Sequence, residues 1–355
     1  MLIKNISNIV NNKIDCNMLN NSNYISTENM LENFGGIKDA SNVPSGKCTA
    51  ILTDDILLSN IRPYFKKLWF SKLDGGCSND VIALRVNNKL ALSKYVFYAL
   101  SSNKFFDVYV ANCKGTKMPR GNKDVLLNYD IPTKSLSEQQ HIVDTIGSVD
   151  DLIENIEEKS QRVKKHGNKL FSKIRLNNLE SLLNKVSFSK GKEIGSLNYL
   201  DKQIDDSVPY IRVGDLLGGS FDTFTTSKNV PLCNEEDILI TFDGAPGRNN
   251  YGLKGAISSG IQKVVCKQKI KGFIYFYINS DLCQNTIQSN AQGTTILLAS
   301  KAIKELKIPV IEDDNVYQKF NDLFSYLIVL SKEKTVLQKQ KQLLLQKYFG
   351  PPEKT

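Results

Sequence analysis

Two long amphipathic segments, half a chain length apart, constrain the fold more than any other feature of the sequence. In residues 136–174 the apolar side chains recur at intervals of three and four, as at Ile142, Ile146 and Val149. This spacing is typical of a helix whose single apolar seam packs on one partner. Residues 317–349 repeat the pattern, and the remaining faces of both segments are mostly polar. Because a long helix with one apolar seam needs a partner to cover it, we predict that the two segments pack against each other.

Landmarks around these segments recur at an offset of about half the 355-residue chain. The recurring pairs are Ile131-Pro132 with Ile308-Pro309, Gln140 with Gln318, residues 113–116 with 291–294, and residues 55–59 with 237–241. The offsets lie between 177 and 182 residues, which is too long for a solenoid unit and indicates a duplicated globular module followed by a helix. We therefore predict an α+β fold with two mixed α/β modules and two long helices. The predicted boundaries are 1–135 for the first module, 136–184 for the central helical region, 185–312 for the second module and 313–352 for the distal helical region.

The bulk composition limits the class of protein. No run of about 18 apolar residues is present, so no membrane span is predicted, and the N-terminal residues lack the pattern of a signal peptide. Seven scattered cysteines without a C-x-x-C pair indicate a reducing cytoplasm, with neither a disulfide framework nor a cysteine-based zinc site. The formal net charge of +9 favours an acidic polymer as partner, although simple solubility explains such a charge equally well.

Two segments of the first module have the composition of a nucleic-acid surface. Residues 60–70 interleave cations with aromatic side chains, and residues 112–123 form a glycine-bearing stretch with four cations and no acid. The cations are Arg62, Lys66 and Lys67 in the first segment and Lys114, Lys117, Arg120 and Lys123 in the second. Such side chains contact phosphates, while neighbouring polar groups contact base edges. The alternative is that the aromatic residues belong to the core and the lysines are merely solvated. Between the two segments, residues 92–106 are predicted to form one helix.

In the second module, a predicted strand at residues 237–242 leads into a turn signal. Pro246 and Gly247 stand where a type II turn requires them. The turn would place Arg248, Asn249 and Asn250 at a tip able to enter a DNA groove, since arginine pairs with guanine and asparagine with adenine. The alternative is an ordinary turn with an exposed arginine.

The sequence carries no recognisable catalytic motif. It has no P-loop, no G-x-S-x-G, no H-E-x-x-H and no glycine fingerprint of a dinucleotide site. The only two histidines, His141 and His166, fall on the first predicted helix, where a structural role is far commoner than a catalytic or metal-binding one. The chain is therefore predicted to bind a partner rather than to catalyse a reaction.

Short motifs in both modules carry a family resemblance. They are residues 24–30 with Gly35-Gly36, 55–64 and 75–81 in the first module, and residues 209–215 and 243–248 in the second. Each long helix also follows an Ile-Pro pair and begins around a glutamine. With the duplicated order of modules and helices, these motifs resemble the DNA-specificity subunits of type I restriction-modification systems over essentially the whole chain.

The resemblance implies a mechanism. The modules would be target-recognition domains that each read one half of a bipartite, asymmetric site in double-stranded DNA. The helices would form an antiparallel coiled coil that sets the spacer and docks two methyltransferase subunits, and translocase-nuclease subunits would join for cleavage. S-adenosylmethionine, ATP and magnesium would be used by those subunits, and this chain would bind no cofactor or metal. The alternative is a coiled-coil interaction scaffold that does not read DNA sequence.

The resemblance also adds to the candidate residues. Besides the cations and asparagines named above, the expected DNA contacts are Thr116, Arg212, Gln292 and Thr294. The expected contacts with the methyltransferase subunits are Gln139, Gln140, Asp150 and Gln318.

Overall fold

The computed structural model describes residues 1–218, 221–293 and 297–351. Its contacts divide the chain into two compact units. Unit 1 consists of Met1–Leu152 and the chain from Leu337 onward, and unit 2 consists of Ile153–Val336. Each unit therefore combines an α/β module with parts of both long helices.

Unit 1 contains two four-stranded sheets. Its strands are β1 (Ser7–Ile9), β2 (Lys13–Asp15), β3 (Tyr24–Ile25), β4 (Lys47–Ile51), β5 (Ile56–Ser59), β6 (Leu68–Phe70), β7 (Gly75–Cys77) and β8 (Val81–Val86). The first sheet has the order β1-β8-β5-β6 and is antiparallel, whereas the second has the order β2-β4-β7-β3, with β3 parallel to β7. The central strand β5 is a continuous apolar run because both of its faces are covered. Ile56 and Leu58 pack towards the helices, and Leu57 packs on the opposite face with strand residues of both sheets.

Apart from α1, the helices of unit 1 follow the strands. They are the short α1 (Ile3–Ile6), then α2 (Ser93–Leu100), α3 (Asn103–Ala111), α4 (Lys123–Leu127) and the N-terminal part of α5 (Leu136–Phe171). The prediction of a single helix over residues 92–106 is wrong, since α2 and α3 are separate. Ser102 has an extended backbone and its hydroxyl accepts a hydrogen bond from the Phe105 N–H at 3.3 Å, so it caps α3. A serine that bonds the backbone in this way starts a helix more readily than it continues one.

Unit 2 repeats this arrangement. Its strands are β9 (Leu179–Ser181), β10 (Val186–Lys190), β11 (Val208–Ile211), β12 (Phe224–Thr225), β13 (Leu232–Cys233), β14 (Ile238–Ile240), β15 (Asn249–Asn250), β16 (Gly255–Ile257), β17 (Gln262–Cys266) and β18 (Lys307–Pro309). Its helices are α6 (Lys271–Ile278), α7 (Asp281–Ser289), α8 (Ala302–Glu305), the C-terminal part of α5 and the N-terminal part of α9 (Asp314–Phe349). The C-terminal part of α9 belongs to unit 1. The sheet β10-β17-β14-β15 matches β1-β8-β5-β6 in order and pairing, and β13-β16-β11 matches β4-β7-β3. The second sheets differ at their outer strands, β2 in unit 1 and β12 in unit 2.

Individual hydrogen bonds also recur between the two units. Lys114 and Arg120 exchange backbone hydrogen bonds of 2.9 and 2.8 Å, and 178 residues later Gln292 and Leu298 exchange bonds of 3.0 and 2.8 Å. Gly115 and Gly293, each just after the first residue of the pair, have φ angles of 91° and 115°. Only glycine adopts this region without strain. The predicted duplication is therefore confirmed at the level of single backbone contacts.

The two long helices pack antiparallel in both units. In unit 1, Asp150 of α5 lies 2.5 Å from Lys341 of α9, and in unit 2, Glu157 lies 2.7 Å from Lys334. A step of seven residues forward along α5 thus corresponds to seven residues back along α9. The predicted pairing of the two segments is confirmed. The first helix ends at Phe171, three residues before the predicted end, and the second begins at Asp314, three residues before the predicted start.

A capping box fixes the start of α5. The N–H and the hydroxyl of Ser135 both donate to Glu138 Oε2 at 2.8 Å, and the Glu138 N–H donates back to Ser135 Oγ at 3.3 Å. These reciprocal bonds satisfy backbone N–H groups that the first helical turn leaves unpaired. The hydrogen bonds from Ser135, with Lys134 beside them, lower the pKa of the Glu138 carboxyl.

Candidate nucleic-acid interface

The two basic segments of the first module lie side by side. Ile61 forms an isolated β-bridge with Arg120, and the Arg62 N–H donates to the Pro119 carbonyl at 2.8 Å. The Gly121 N–H donates to the Asn60 carbonyl at 2.9 Å. Residues 112–123, called the basic loop below, are therefore held along the segment that follows β5. Sequence analysis identified both segments but not their contact.

The basic loop presents its cations to solvent. The exposed side chains in the loop include Lys114, Thr116, Lys117, Arg120 and Lys123. Arg120 pairs with Asp80 across 3.2 Å, but both groups are exposed, and such a surface pair contributes little to stability. Across the described residues, Lys114, Lys117 and Lys123 form no ion pair. Three of the four cations are therefore available to bind a polyanion.

Asp80 was missed by sequence reasoning. It lies directly before β8, within the motif at residues 75–81, but its residue type alone does not indicate an ion pair with the basic loop. Its backbone carbonyl accepts from the Asn60 N–H at 2.8 Å, which brings its carboxylate to the edge of the basic loop.

The second module has an equivalent loop with a different composition. Asp243 forms an isolated bridge with Leu298, as Ile61 does with Arg120. The Asp243 carboxylate accepts a hydrogen bond of 2.7 Å from the Ser300 hydroxyl, which pins the loop to the end of β14. Gln292 is exposed at the position equivalent to Lys114, and Thr294 lies outside the described residues.

The predicted turn at residues 245–248 is confirmed. The Arg248 N–H donates to the Ala245 carbonyl at 3.1 Å, and Gly247 has φ 81°, as the third position of a type II turn requires. Two glutamines of α7, Gln284 and Gln288, donate to the carbonyls of Gly247 and Pro246 at 3.0 and 2.8 Å. Sequence reasoning did not identify them, although their spacing of four places both on one face of a helix.

Lys67 and Arg248 occupy equivalent positions in the two modules. The Lys67 ammonium donates to the Thr27 carbonyl at 2.8 Å, and the Arg248 guanidinium donates to the Val213 carbonyl at 3.0 Å. Each accepting carbonyl lies two residues after a strand, β3 or β11, that pairs parallel with its neighbour. Burial lowers the pKa of Lys67. Each cation therefore hydrogen-bonds to the segment that follows the parallel-paired strand of its own module. This shared role was not predicted from the sequence.

The other predicted side chains in these turns are also engaged within their own unit. Asn249 exchanges two 3.2 Å hydrogen bonds with Asn279. Asn250 donates to the Leu216 carbonyl at 2.9 Å, and Lys66 donates to Asn103 at 3.3 Å. Arg212 is exposed, and its N–H donates to the Asp215 carboxylate at 2.6 Å at the start of a 3₁₀ turn. Of this group, Arg212 is the side chain that faces solvent most freely.

The helix residues predicted to contact partners differ in exposure. Gln139 is fully buried, accepting from the Leu92 N–H at 2.8 Å and donating to the Lys134 carbonyl at 2.9 Å, so it anchors the helix start and has no exposed surface for a partner. Asp150 is half-buried between the Tyr98 hydroxyl and Lys341. Gln140 and Gln318 are exposed, and each donates at 2.7 Å to an aspartate four residues later, Asp144 or Asp322. This duplicated Gln-Asp pair is the same surface feature on both helices.

The described residues contain no cluster of three or more His, Cys, Asp or Glu that could hold a metal ion. Burial raises the pKa of the Cys48, Cys77 and Cys283 thiols to about 12, so these cysteines are not activated nucleophiles. Within the described ranges, no helix combines the length and the apolar character needed to cross a membrane.

Known proteins share this architecture. Residues 4–165 and 178–335 match the model of the type I restriction modification DNA specificity domain. The chain is 30% identical over 171 residues to the type I restriction enzyme MjaVIII specificity subunit of Methanocaldococcus jannaschii, and 34% identical over 92 residues to the EcoDI specificity subunit of Escherichia coli. The first alignment covers 46% of this chain and 40% of the relative, and the second covers 26% and 20%.

A solved structure supports the fold. The S subunit of a type I restriction-modification system from M. genitalium aligns over 100% of this chain and 96% of its own, with a TM-score of 0.51 and 18% identity. At that identity the likeness concerns the fold alone. The two matched segments of the family model together take in both modules and most of both long helices. The chain therefore belongs to the family of type I restriction-modification DNA specificity domains.

Proposed function

We propose that this chain is the non-catalytic specificity subunit of a type I restriction-modification complex, in which each module reads one half of a bipartite DNA site. The observation that carries the proposal is the pair of equivalent loops, 112–123 and its counterpart at 290–301, built on the same backbone bridges in two modules of different sequence. The two loops share their backbone bridges but carry different side chains. We therefore expect the two modules to recognise half-sites that differ in sequence.

The contacts with DNA would divide by chemistry. The exposed cations of the basic loop would neutralise phosphates and so fix the first module on the duplex. Arg212 and Gln292 are the exposed polar candidates for base contacts in the second module. Lys67 and Arg248 would act indirectly, by holding the segments after β3 and β11 in place.

The paired helices would set the spacer between the half-sites. Each helix has 36 residues, which at a rise of 1.5 Å per residue gives a length of about 54 Å. That length exceeds one turn of DNA, about 34 Å. Exposed Gln140 and Gln318, with half-buried Asp150, would contribute to docking two methyltransferase subunits. S-adenosylmethionine, ATP and magnesium would be used by the partner subunits.

The decisive experiment is to map methylated bases in the source genome with this gene intact and deleted. We expect one bipartite, asymmetric motif to lose its methylation in the deletion strain and to regain it when the gene is restored. A coiled-coil scaffold without sequence readout predicts that the methylation pattern does not change. The gene should be restored as the full chain, with the methyltransferase gene left in place.

A further inference from the structure

The equivalent loops of the two modules differ sharply in charge. The basic loop carries Lys114, Lys117, Arg120 and Lys123 and no acid, whereas residues 290–301 carry Lys301 alone. The bridges make the comparison position by position: exposed Lys114 corresponds to exposed Gln292, and exposed Arg120 corresponds to exposed Leu298. The described residues of the two loops therefore share the same backbone bridges, while the loops differ in charge.

The acid beside each loop increases the difference. In the first module Asp80 pairs with Arg120 alone, which leaves three cations of the loop uncompensated among the described residues. In the second module Asp243 stands where the first module has Ile61, and it holds a carboxylate at the base of the loop. A phosphate approaching the second loop would meet a carboxylate that has no ion-pair partner among the described residues, whereas Asp80 beside the first loop is paired with Arg120.

The modules as a whole follow the same trend. Residues 1–135 contain 17 Lys and Arg against 11 Asp and Glu, a net charge of +6, and residues 185–312 contain 15 against 13, a net charge of +2. The larger positive potential of the first module would attract DNA over roughly 8–10 Å at physiological salt, the distance beyond which ions screen surface charges.

We propose that the two modules share DNA binding unequally: the first supplies most of the salt-dependent phosphate contacts, and the second holds its half-site mainly through contacts that do not depend on salt. This inference rests on the proposed function and adds a division of labour to it. The basic loop is the place where the first module would neutralise phosphates.

The test follows from counterion release. The slope of log K against log salt concentration changes by about 0.9 for each phosphate that a protein neutralises on duplex DNA. Binding of the full chain, assembled with its methyltransferase subunits, would be measured on a random-sequence duplex at several salt concentrations. The variant is K114Q/K117Q, which halves the number of cations in the first loop without touching a buried residue.

The matched control is K301Q/K304Q, which also removes two positive charges, from exposed positions in the second module. We expect K114Q/K117Q to reduce the slope by about 2, and the control to retain the wild-type slope. Equal reductions in both variants, or no reduction in K114Q/K117Q, would overturn the proposal. Circular dichroism and size exclusion would verify that each variant folds and assembles.

Failure of this inference is distinguishable from failure of the proposed function. If the wild-type complex methylates a bipartite motif but both variants lose slope equally, only the unequal division is wrong. If the wild-type complex shows neither a motif nor salt-dependent DNA binding, both conclusions fall.

Discussion

Phe349 packs against Tyr95, with the ring centroids 5.2 Å apart, so the last residue of α9 is part of the core of unit 1. The equivalent pair in unit 2 is Phe171, at the end of α5, and Phe273, with ring centroids 5.4 Å apart. Each of these residues is offset by 178 positions from its counterpart in unit 1. Each module is thus completed by the end of a helix that starts beside the other module. The two helices are structural parts of both cores as well as a connection.

This relationship predicts that truncating either aromatic ring destabilises one unit. Phe349→Ala removes a side chain that is 2% exposed, and such core changes cost about 3–5 kcal/mol. Phe171→Ala should do the same in unit 2. Chemical denaturation followed by amide hydrogen exchange would locate the loss, and exchange that accelerates equally in both units would contradict the assignment. Leu343→Ala, at a position 66% exposed, is the control and should change the unfolding free energy little.

An ion pair between a buried carboxylate and a partly exposed arginine in unit 1 gives a second stability prediction. Asp55 is 1% exposed and accepts from Arg85 Nε at 2.8 Å and from Arg85 Nη2 at 2.7 Å, while the Leu52 N–H donates to it at 2.8 Å. Arg85→Met would leave the buried carboxylate without its charged hydrogen-bond donor, so we expect a loss of about 1.5–3 kcal/mol. Urea denaturation measures the loss. The exposed pair of Arg162 with Glu158 provides the comparison, because Arg162→Met should cost less than about 1 kcal/mol.

The capping box of α5 predicts a dependence on pH. The folded state lowers the pKa of Glu138 below its unfolded value, which is near 4.3. Its contribution to stability is therefore fully present above that value and is lost as the pH falls through the lowered folded-state pKa. Glu138→Gln keeps a capping side chain but cannot titrate, so its stability relative to wild type should improve as the pH falls from 6 to about 3. A difference between the two proteins that stays constant over this range would argue against the titration.

The helix pairing and the duplication could be predicted from the sequence, because both produce residue patterns that repeat at regular intervals. The seams of the two helices and the repeat of about 178 residues specify the pairing and the duplication without knowledge of any contact. The break at Ser102 was missed because apolar residues resume at Phe105 and Phe106, beyond the polar residues 101–104, and the two parts look like one helix. The burial of Gln139 was missed because a glutamine at a helix start is ordinarily exposed. The equivalence of Lys67 with Arg248 could not be found by comparing positions at one constant offset. The turn after β5 is one residue longer than the turn after β14, so the offset between the modules changes within it.

Lys67 and Arg248 predict effects confined to one half-site each. Lys67→Met releases the Thr27 carbonyl, and Arg248→Met releases the Val213 carbonyl; a charged hydrogen bond of this kind contributes about 1.5–3 kcal/mol. We expect each variant to lose selectivity in a different half of the motif, which sequencing of methylated sites in degenerate half-site libraries would detect. If both variants relaxed the same half, the modules would not read separate halves.

The antiparallel register predicts how the spacer can be lengthened without disturbing either reading surface. Because Asp150 faces Lys341 within unit 1, an insertion between Asp151 and Leu152 is opposite one between Lys339 and Gln340. Seven residues added at both points keep the apolar seam in phase. They lengthen each helix by about 10.5 Å, or roughly three base pairs at 3.4 Å per base pair. Mapping of methylated bases should return the same two half-sites separated by about three more base pairs, whereas a heptad added to α5 alone would break the register and abolish methylation. An unchanged spacer in the double insertion would show that the helices do not measure it.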